Sequence, residues 1–250
     1  MEQLQAIVDY CNQRLQIATI QDYDGAVNGL QFQNNGTVTR VASAVDASLE
    51  SIQQAVTIGA NLLFVHHGLF WGSHAPIIDT IYQKYRLLIE HDIAVYSCHL
   101  PLDAHPEIGN NAQLAKLLQL HNTQPAFPFI ETNVGVVGEH SMERTAFKAQ
   151  LAQHFPHIVP MEFGPEKVRT VGISSGGSGN MILKARNYGI DTMIIGECSQ
   201  YHYNVARERG LNVYLCGHYA TETFGVDALG KEIAEKFHLP YSFLPSECPL

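Results

Sequence analysis

Hydrophobic positions along the chain predict helices that alternate with strands. Near the start, apolar residues recur at the spacing of an amphipathic helix, at Leu4, Ile7, Val8, Cys11 and Leu15. A strand is then predicted over residues 41–45, a helix that begins after Ser48 and ends at Gly59, and a second strand over 62–65. A helix over 79–91, a strand over 93–99 and a helix over 109–120 follow. Because helical crossovers join the three strands, we expect them to be parallel.

The second half of the chain repeats this order of elements. Strands are predicted over 134–137, 168–174, 192–195 and 213–216, and helices over 141–155, after 179, over 200–209 and over 221–238. The stretch 122–128 contains Pro125 and Pro128 and is typical of a linker. We therefore expect an α/β fold of two similar lobes, residues 1–124 and 125–250, with largely parallel sheets flanked by helices. The chain termini are free to cross between these lobes.

Composition narrows the class of protein. With 250 residues and 46% hydrophobic content the chain can bury substantial cores. A net charge of -9 argues against a dedicated nucleic-acid surface. The N-terminus has no signal-peptide pattern, and no stretch approaches the roughly 18 to 20 apolar residues of a membrane span, so we expect a cytoplasmic protein that does not enter a membrane. Five cysteines without paired spacing favour reduced thiols.

Residues that bind metals follow the predicted strands. In the first half these are Asp46, His66, His67, His99 and Asp103, and in the second half Glu197, His218 and Glu222. Ligands bind beyond the carboxyl ends of strands in open α/β sheets, which is where these side chains fall. Adjacent imidazoles on an extended backbone point in different directions and can serve two ions, and a carboxylate can bridge two ions roughly 3.5 to 4 Å apart. Histidines and carboxylates without a thiolate set suit zinc, iron or manganese.

Other polar and aromatic features have two interpretations each. The glycine-rich turn 174–179 is either a tight structural turn or a phosphate-binding loop. We interpret Cys98, Cys198 and Cys216 as small packing residues in preference to nucleophiles or soft metal ligands. Phe70 and Trp71 either anchor a loop or stack on a base, and His74 either lies at the surface or carries protons.

At these residues the chain resembles the GTP cyclohydrolase 1 type 2 family, also called the NIF-three-like proteins, nearly from end to end. The resemblance rests on six sets of residues together with Gly196-Glu197. They are Asn28-Gly29-Leu30-Gln31, His66-His67-Gly68-Leu69-Phe70-Trp71, Cys98-His99-Leu100-Pro101-Leu102-Asp103, Gly109-Asn110-Asn111, the turn 174–179, and Gly217-His218-Tyr219-Ala220-Thr221-Glu222.

The resemblance implies an internally duplicated two-lobed subunit of the short form of the family, a dinuclear metal centre and a toroidal homohexamer. It implies two divalent ions per subunit, with iron, zinc and manganese as alternatives. The metal ligands that it implies are His66, His67, Asp103, His218 and Glu222, with Glu222 as the bridging carboxylate. Family members often have a further histidine after the Gly-Glu pair, and whether His202 takes that place is open.

We expect a metal-dependent hydrolase that acts on a nucleotide-like or phosphorylated small molecule through activated water, with His99 as a candidate for proton transfer. Nothing in this acidic chain marks a guanine-reading or triphosphate-binding group, so the family label does not define the substrate. The alternative is a non-enzymatic, hexameric metal-binding or interaction protein. A third interpretation is a nucleotide-binding regulator that uses the glycine-rich turn.

Overall fold

The computed structural model describes residues 1–72 and 75–250. His74, for which the sequence left two roles open, lies outside these residues. The chain forms two compact units. The first unit comprises Met1–Leu102 and Gly225–Glu247, and the second comprises Asp103–Phe224 and Cys248–Leu250. Residues 103–124 belong to the second unit and not to the first lobe as expected. Most residues after 224 belong to the first unit, a crossing of the chain end that the expectation allowed.

The described residues form the following strands and helices, each series in chain order. The strands are β1 (Glu2–Gln3), β2 (Gly29–Phe32), β3 (Thr37–Val38), β4 (Val41–Asp46), β5 (Leu62–His67), β6 (Ala94–Ser97), β7 (His121–Phe129), β8 (Thr132–Glu143), β9 (Val159–Glu162), β10 (Lys167–Ser174), β11 (Thr192–Ile195), β12 (Asn212–Leu215) and β13 (Tyr241–Phe243). The helices are α1 (Leu4–Arg14), α2 (Leu49–Ile58), α3 (Asp79–Glu90), α4 (Leu100–Asp103), α5 (Asn110–Leu117), α6 (Arg144–Leu151), α7 (Tyr201–Arg209) and α8 (His218–Phe237), with a 3₁₀ helix over Gly179–Tyr188. Among the described residues, no helix combines the length and the apolar character that a membrane crossing requires.

The first unit contains a five-stranded sheet in the order β13-β4-β5-β6-β2. Strands β13, β4, β5 and β6 are parallel, which confirms the parallel arrangement expected for the three predicted strands. Strand β2 is antiparallel to β6 at one edge, and β13 adds to the other edge from near the end of the chain. The sequence pattern indicated neither edge strand, since each is short and only partly buried.

Helix α2 begins and ends as the sequence predicts. The Ser48 hydroxyl accepts a hydrogen bond from the Ser51 backbone N–H at 3.0 Å, and Gly59 ends the helix in the left-handed conformation at φ 68°. Apolar side chains of the sheet and of its helices form the core of the first unit. Its members include Ala42, Ala44, Ile52, Leu63, Leu88 and Val95. Burial of these side chains holds the carboxyl ends of β4, β5 and β6 side by side.

The second unit contains a six-stranded sheet in the order β7-β8-β10-β11-β12-β9. Only β10, β11 and β12 are parallel, whereas β7, β8 and β9 pair antiparallel with their neighbours, so the expectation of a largely parallel sheet is wrong for this unit. The stretch 122–128 lies in β7 and is not a linker. Proline lacks a backbone N–H, and β7 tolerates Pro125 and Pro128 because it is an edge strand with a neighbour on one side only.

Two further predictions for the second unit need correction. The helix predicted over 141–155 begins only at Arg144, because β8 continues through Glu143, and the helix predicted after Gly179 has 3₁₀ geometry. Both faces of the sheet are buried. Ile194 belongs to one apolar cluster and its neighbours Met193 and Ile195 to another, as the alternation of side chains along a strand requires. This double burial explains why β11 is continuously apolar.

Candidate metal centre

Three histidines of the first unit lie together where strands β5 and β6 end. His66 and His67 are the last residues of β5, and His99 follows β6 closely. One ring nitrogen from each of the three lies within 4.8 Å of the other two. The centroid of the His66 ring is 4.9 Å from that of His67 and 4.9 Å from that of His99. The strand ends of this unit therefore bring three imidazoles into one cluster.

Both histidines of β5 are held through Nδ1. Nδ1 of His67 is 2.8 Å from Oδ1 of Asp46, which lies opposite it on β4, and Nδ1 of His66 is 2.9 Å from the carbonyl oxygen of Cys98. Carboxylate and carbonyl oxygens only accept hydrogen bonds, so in each ring Nδ1 is the donor and the neutral ring carries its lone pair on Nε2. Histidines that bind metals are usually held in this way by a carboxylate or a backbone carbonyl.

His99 is held by Asp22, a residue that no pattern in the sequence marked. Oδ1 of Asp22 is 2.8 Å from Nδ1 of His99, and only 4% of the Asp22 side chain is exposed. Its other oxygen accepts hydrogen bonds from Asn28 Nδ2 at 2.8 Å and from the Leu100 backbone N–H at 3.0 Å. Burial by itself raises the pKa of Asp22, but the hydrogen bonds from His99 and Asn28 outweigh burial and the net pKa is lowered. Asp22 is therefore a carboxylate at neutral pH.

The Asn28-Gly29-Leu30-Gln31 sequence supports the residues around the histidine cluster. Oδ1 of Asn28 accepts a hydrogen bond from the backbone N–H of His99 at 2.8 Å, and Oε1 of Gln31 accepts one from the backbone N–H of Leu69 at 2.6 Å. A Cβ atom on Gly68 would collide with the Gln31 side-chain amide. These contacts explain why the residues after His67 begin with a glycine.

In the second unit, His218 lies between two carboxylates. Its Nε2 is 3.2 Å from Oε1 of Glu222 and its Nδ1 is 2.8 Å from Oε1 of Glu197. The Glu222 side chain is only 4% exposed. The hydrogen bond to Glu222, reinforced by the charges of both carboxylates, raises the pKa of His218 to about 9 against the opposing effect of burial. The two carboxylates therefore favour positive charge at His218.

Asp103 is oriented by buried neighbours of the same unit. Its Oδ1 accepts a hydrogen bond from Asn110 Nδ2 at 2.8 Å and one from the Ser175 hydroxyl at 3.3 Å. The adjacent Asn111 accepts a hydrogen bond from the Ser175 backbone N–H at 2.8 Å and donates one to the Val134 carbonyl at 2.7 Å. Both asparagines are fully buried. The Gly109-Asn110-Asn111 sequence thus ties Asp103 to the glycine-rich turn.

The glycine-rich turn packs against the His218 and Glu222 side chains. Gly176 has φ +64°, and a Cβ atom there would collide with the Glu222 carboxylate. Its backbone N–H donates to the Thr221 hydroxyl at 3.0 Å. A Cβ atom on Gly177, by contrast, would only reach ordinary contact with His218 at 3.5 Å. The turn therefore has a structural reason for glycine, and phosphate binding by it stays an untested prediction.

His202 lies in the same unit and lines a cavity of about 320 Å³ together with Glu197, Cys198 and Asn180. The His202 side chain is buried, its Nδ1 is 3.1 Å from the Ser199 carbonyl oxygen, and its Nε2 is 3.3 Å from Oδ1 of Asn180. Its ring lies against that of Tyr201, tilted by 32°, with 3.9 Å between the centroids. These contacts give His202 a place in the cavity wall.

The three cysteines near strand ends show the properties of packing residues. Cys98 and Cys216 are buried and Cys198 is partly buried. Burial raises the pKa of the Cys216 thiol to about 12, and burial together with the Glu197 charge raises the pKa of Cys198. Because the thiolate is the reactive form, none of this favours a nucleophile.

Trp71 forms an aromatic wall beside the histidine cluster. Its ring meets His99 edge to face at 4.9 Å and His67 at 5.8 Å between centroids. Trp71 is nevertheless 41% exposed, and Phe70, whose ring centroid is 6.5 Å from that of Tyr85, is 37% exposed. Both residues therefore contact other side chains of the first unit, and both are partly open to solvent.

The structure places the sequence-predicted site residues in two groups, one in each unit. His66 and His67 meet in the first unit together with His99, while Asp103, His218 and Glu222 surround one glycine-rich turn in the second. The residues that orient these groups include Asp46 and Glu197, which the strand-end pattern contains, and Asp22, which it does not. Imidazole nitrogens and carboxylate oxygens in a partly buried setting fit zinc, iron or manganese.

Comparison with known proteins points to one family. The sequence model of Duf34/NIF3 (NGG1p interacting factor 3) matches residues 2–248. A Deinococcus radiodurans protein named GTP cyclohydrolase 1 type 2 homolog is 39% identical over 225 residues, which are 88% of this chain and 85% of that protein. Among solved structures, TTHA1606 from Thermus thermophilus superposes with a TM-score of 0.92 at 33% identity, covering 100% of both chains. Reduced HcgD from Methanocaldococcus jannaschii superposes with a TM-score of 0.84 at 25% identity, covering 98% of both chains.

Proposed function

Because the chain belongs to the Duf34/NIF3 family, we propose that it is a metal-dependent hydrolase with a dinuclear centre. The proposed ligands for the two divalent ions are His66, His67, Asp103, His218 and Glu222, with Glu222 as the bridge. Iron, zinc and manganese are the candidate metals.

The observation that carries this proposal is the way the histidines are held. In both units an imidazole presents Nδ1 to a carboxylate, as His67 does to Asp46 and His218 does to Glu197, each at 2.8 Å. Such a carboxylate fixes the ring and makes the other nitrogen a better ligand. A histidine that served only packing would not require this partner in both units.

Bound divalent ions would lower the pKa of water to about 7 and polarise the group that the water attacks. The chain itself supplies the orientation of the ligands. The Asn110 amide and the Ser175 hydroxyl hold the Asp103 carboxylate, and Gly176 leaves room for the Glu222 carboxylate. Proton transfer by His99 stays a prediction.

We propose a nucleotide-like or phosphorylated small molecule as the substrate. Two cavities of the second unit have volumes of about 510 Å³ and about 320 Å³, and they are lined by Asp103 and Glu197 respectively. Cavities of about 300 to 1,000 Å³ are typical of small-molecule sites. The larger one also contains Lys116, a cation suited to a phosphate. The name of the relatives refers to GTP, but the contacts of the described residues do not single out guanine.

Metal content per subunit, measured by elemental mass spectrometry, tests the proposal. We expect about two equivalents of one divalent metal in the native protein and a clear loss in His66→Ala and Glu222→Ala, with the exposed His91→Ala variant as the control. Each variant is checked for folding by circular dichroism. Native protein that binds no metal after reconstitution would contradict the proposal.

The reaction is tested on the reconstituted protein with a panel of nucleotides and phosphoesters. We expect turnover that depends on the metal and is lost in Asp103→Ala. Metal binding without turnover of any compound in the panel would instead favour the non-enzymatic metal-binding protein.

We also propose, from the family resemblance, that the chain assembles into a homohexamer. Light scattering after size exclusion is the direct test. The expected mass is six times the 27.7 kDa of the chain, and a species of 27.7 kDa would contradict the hexamer.

A further inference from the structure

We propose that Trp71 and Tyr23 form a stacking site for a planar aromatic ring, the base of a nucleotide-like substrate, beside the histidine cluster of the first unit. The inference rests on the proposed function and narrows its substrate class to compounds that carry such a ring. All residues that support it belong to the first unit.

Trp71 is the only tryptophan of the chain, and much of it is open to solvent. A tryptophan that packs in a core buries roughly 150 to 250 Å², so this residue type is on average highly buried. Trp71 is instead 41% exposed, and Tyr23 is 53% exposed. Exposed aromatic surface that is grouped in one place is typical of a binding site.

Both rings border the same histidine. The centroid of the Trp71 ring is 4.9 Å from that of His99, with 82° between the ring planes, and the centroid of Tyr23 is 5.8 Å from that of His99, with 40° between the planes. Trp71 also lies 5.8 Å from His67. A planar ring that stacked on this aromatic surface would therefore lie beside the imidazoles at the end of the sheet.

The loop that carries Trp71 is anchored by other residues. The Gln31 side-chain amide accepts a hydrogen bond from the Leu69 backbone N–H at 2.6 Å and donates one to the Val27 carbonyl at 2.6 Å. One amide thus joins the loop of Trp71 to the loop of Tyr23. Because these hydrogen bonds already hold the loop, the indole is not required as its anchor, which favours the stacking role.

The same two loops also meet through their backbones. Gly25 has φ +87° and Gly72 has φ +60°, and a Cβ atom on Gly25 would collide with the Gly72 backbone. Glycine at both positions permits this close approach. The contact limits the movement of Tyr23 and Trp71 relative to each other. A pair of rings held in this way loses little conformational entropy when a ligand binds.

The chemistry of the two rings favours a planar aromatic ligand. Indole and phenol rings stack on the faces of bases, and such stacking tolerates different bases because each of them has a π-face. The loss of one stacking side chain weakens binding by about 5-fold to 150-fold. The site therefore accepts the base of a nucleotide without singling out guanine.

The fluorescence of Trp71 is the direct test, because the emission of the single tryptophan reports on this residue alone. The full chain is titrated with AMP and with GMP, and ribose phosphate, which lacks the base, is the matched control. We expect both nucleotides to quench the emission saturably and ribose phosphate to leave it unchanged. Emission that neither nucleotide changes, or that ribose phosphate quenches equally, would overturn the inference.

Variants of Trp71 separate stacking from apolar packing. AMP binding is measured by equilibrium dialysis, after circular dichroism has established that each variant folds. We expect Trp71→Phe to bind within about 3-fold of the native affinity and Trp71→Leu to bind about 5-fold to 150-fold more weakly, because leucine is apolar but has no ring. The control is Tyr203→Leu in the second unit, where the tyrosine is also 41% exposed. Native affinity in Trp71→Leu would overturn the inference, and if that variant does not fold, the fluorescence titration decides.

Failure of this inference is distinguishable from failure of the proposed function, because stacking requires no ion. Quenching by AMP in a protein that binds no metal would keep the stacking site and contradict the metal-dependent hydrolase. Metal binding without quenching would contradict the stacking site alone. Acrylamide is added to the native protein without nucleotide as a last check. Emission that acrylamide does not quench would show that Trp71 is covered, by a second copy of the chain for example, and would overturn the inference.

Discussion

Nδ1 of His67 and Oδ1 of Asp46 are 2.8 Å apart, and the two residues face each other across the parallel strands β4 and β5. The strand register therefore places a carboxylate behind an imidazole at the end of the sheet. Glu197 does the same for His218 in the second unit. In each pair the carboxylate lies behind the ring, and the second nitrogen of the imidazole faces away from it.

Removal of these carboxylates should weaken metal binding without removing a ligand. We expect Asp46→Asn and Glu197→Gln each to lower metal affinity by about 10-fold to 100-fold, because the ring loses the partner that orients it. Chelator competition measures the change. Asp24→Asn and Glu208→Gln, both at exposed positions, are the controls. Unchanged affinity in both test variants would show that the pairs do not support a metal site.

Two neighbouring glycines should respond differently to alanine. In Gly176→Ala the new methyl group meets the Glu222 carboxylate, and the positive φ adds strain of about 1 to 3 kcal/mol. We therefore expect this variant to lose metal and to unfold at a lower temperature. Gly177→Ala should keep both properties, since its methyl group reaches only ordinary contacts at 3.5 to 3.6 Å. Equal behaviour of the two variants would contradict the assigned role of Gly176.

Asn111 should be important for the stability of the second unit. Its side-chain amide accepts a hydrogen bond from the Ser175 backbone N–H and donates one to the Val134 carbonyl. Asn111→Ala leaves both groups buried without this partner, which costs about 1 to 3 kcal/mol in the free energy of unfolding. Urea unfolding measures the loss, with the exposed Asn204→Ala as the control. A loss no larger than that of the control would show that the amide is dispensable.

The cysteines should differ sharply in their reaction with iodoacetamide. Cys248 is exposed and should react at pH 8, while Cys216 is buried with a pKa raised to about 12 and should remain protonated and unmodified up to pH 10. Mass spectrometry of the native protein identifies the modified residue, and Cys248→Ser provides the control. Fast modification of Cys216 below pH 9 would contradict its assignment as a packing residue.

The apolar runs and the polar residues that follow them were sufficient to predict the parallel strands β4, β5 and β6, the cap at Ser48 and the position of the histidines at strand ends. These features are local, because a strand pattern, a cap and a strand end each involve only a few consecutive residues. The pattern was misleading at residues 122–128, where two prolines indicated a linker. An edge strand tolerates proline, and whether a strand lies at an edge depends on its neighbours in the sheet.

By itself, the sequence determined the α/β class, the core strands of each unit and the residue types able to bind a metal, since periodicity and side-chain chemistry are properties of the chain alone. Only the tertiary structure decided which acceptor holds each imidazole. Asp22 and His99 are 77 residues apart and meet through the fold. The addition of β13 to β4 is likewise a contact between distant segments. Contacts of this kind arise when the whole unit folds around its core, so no local sequence pattern predicts them.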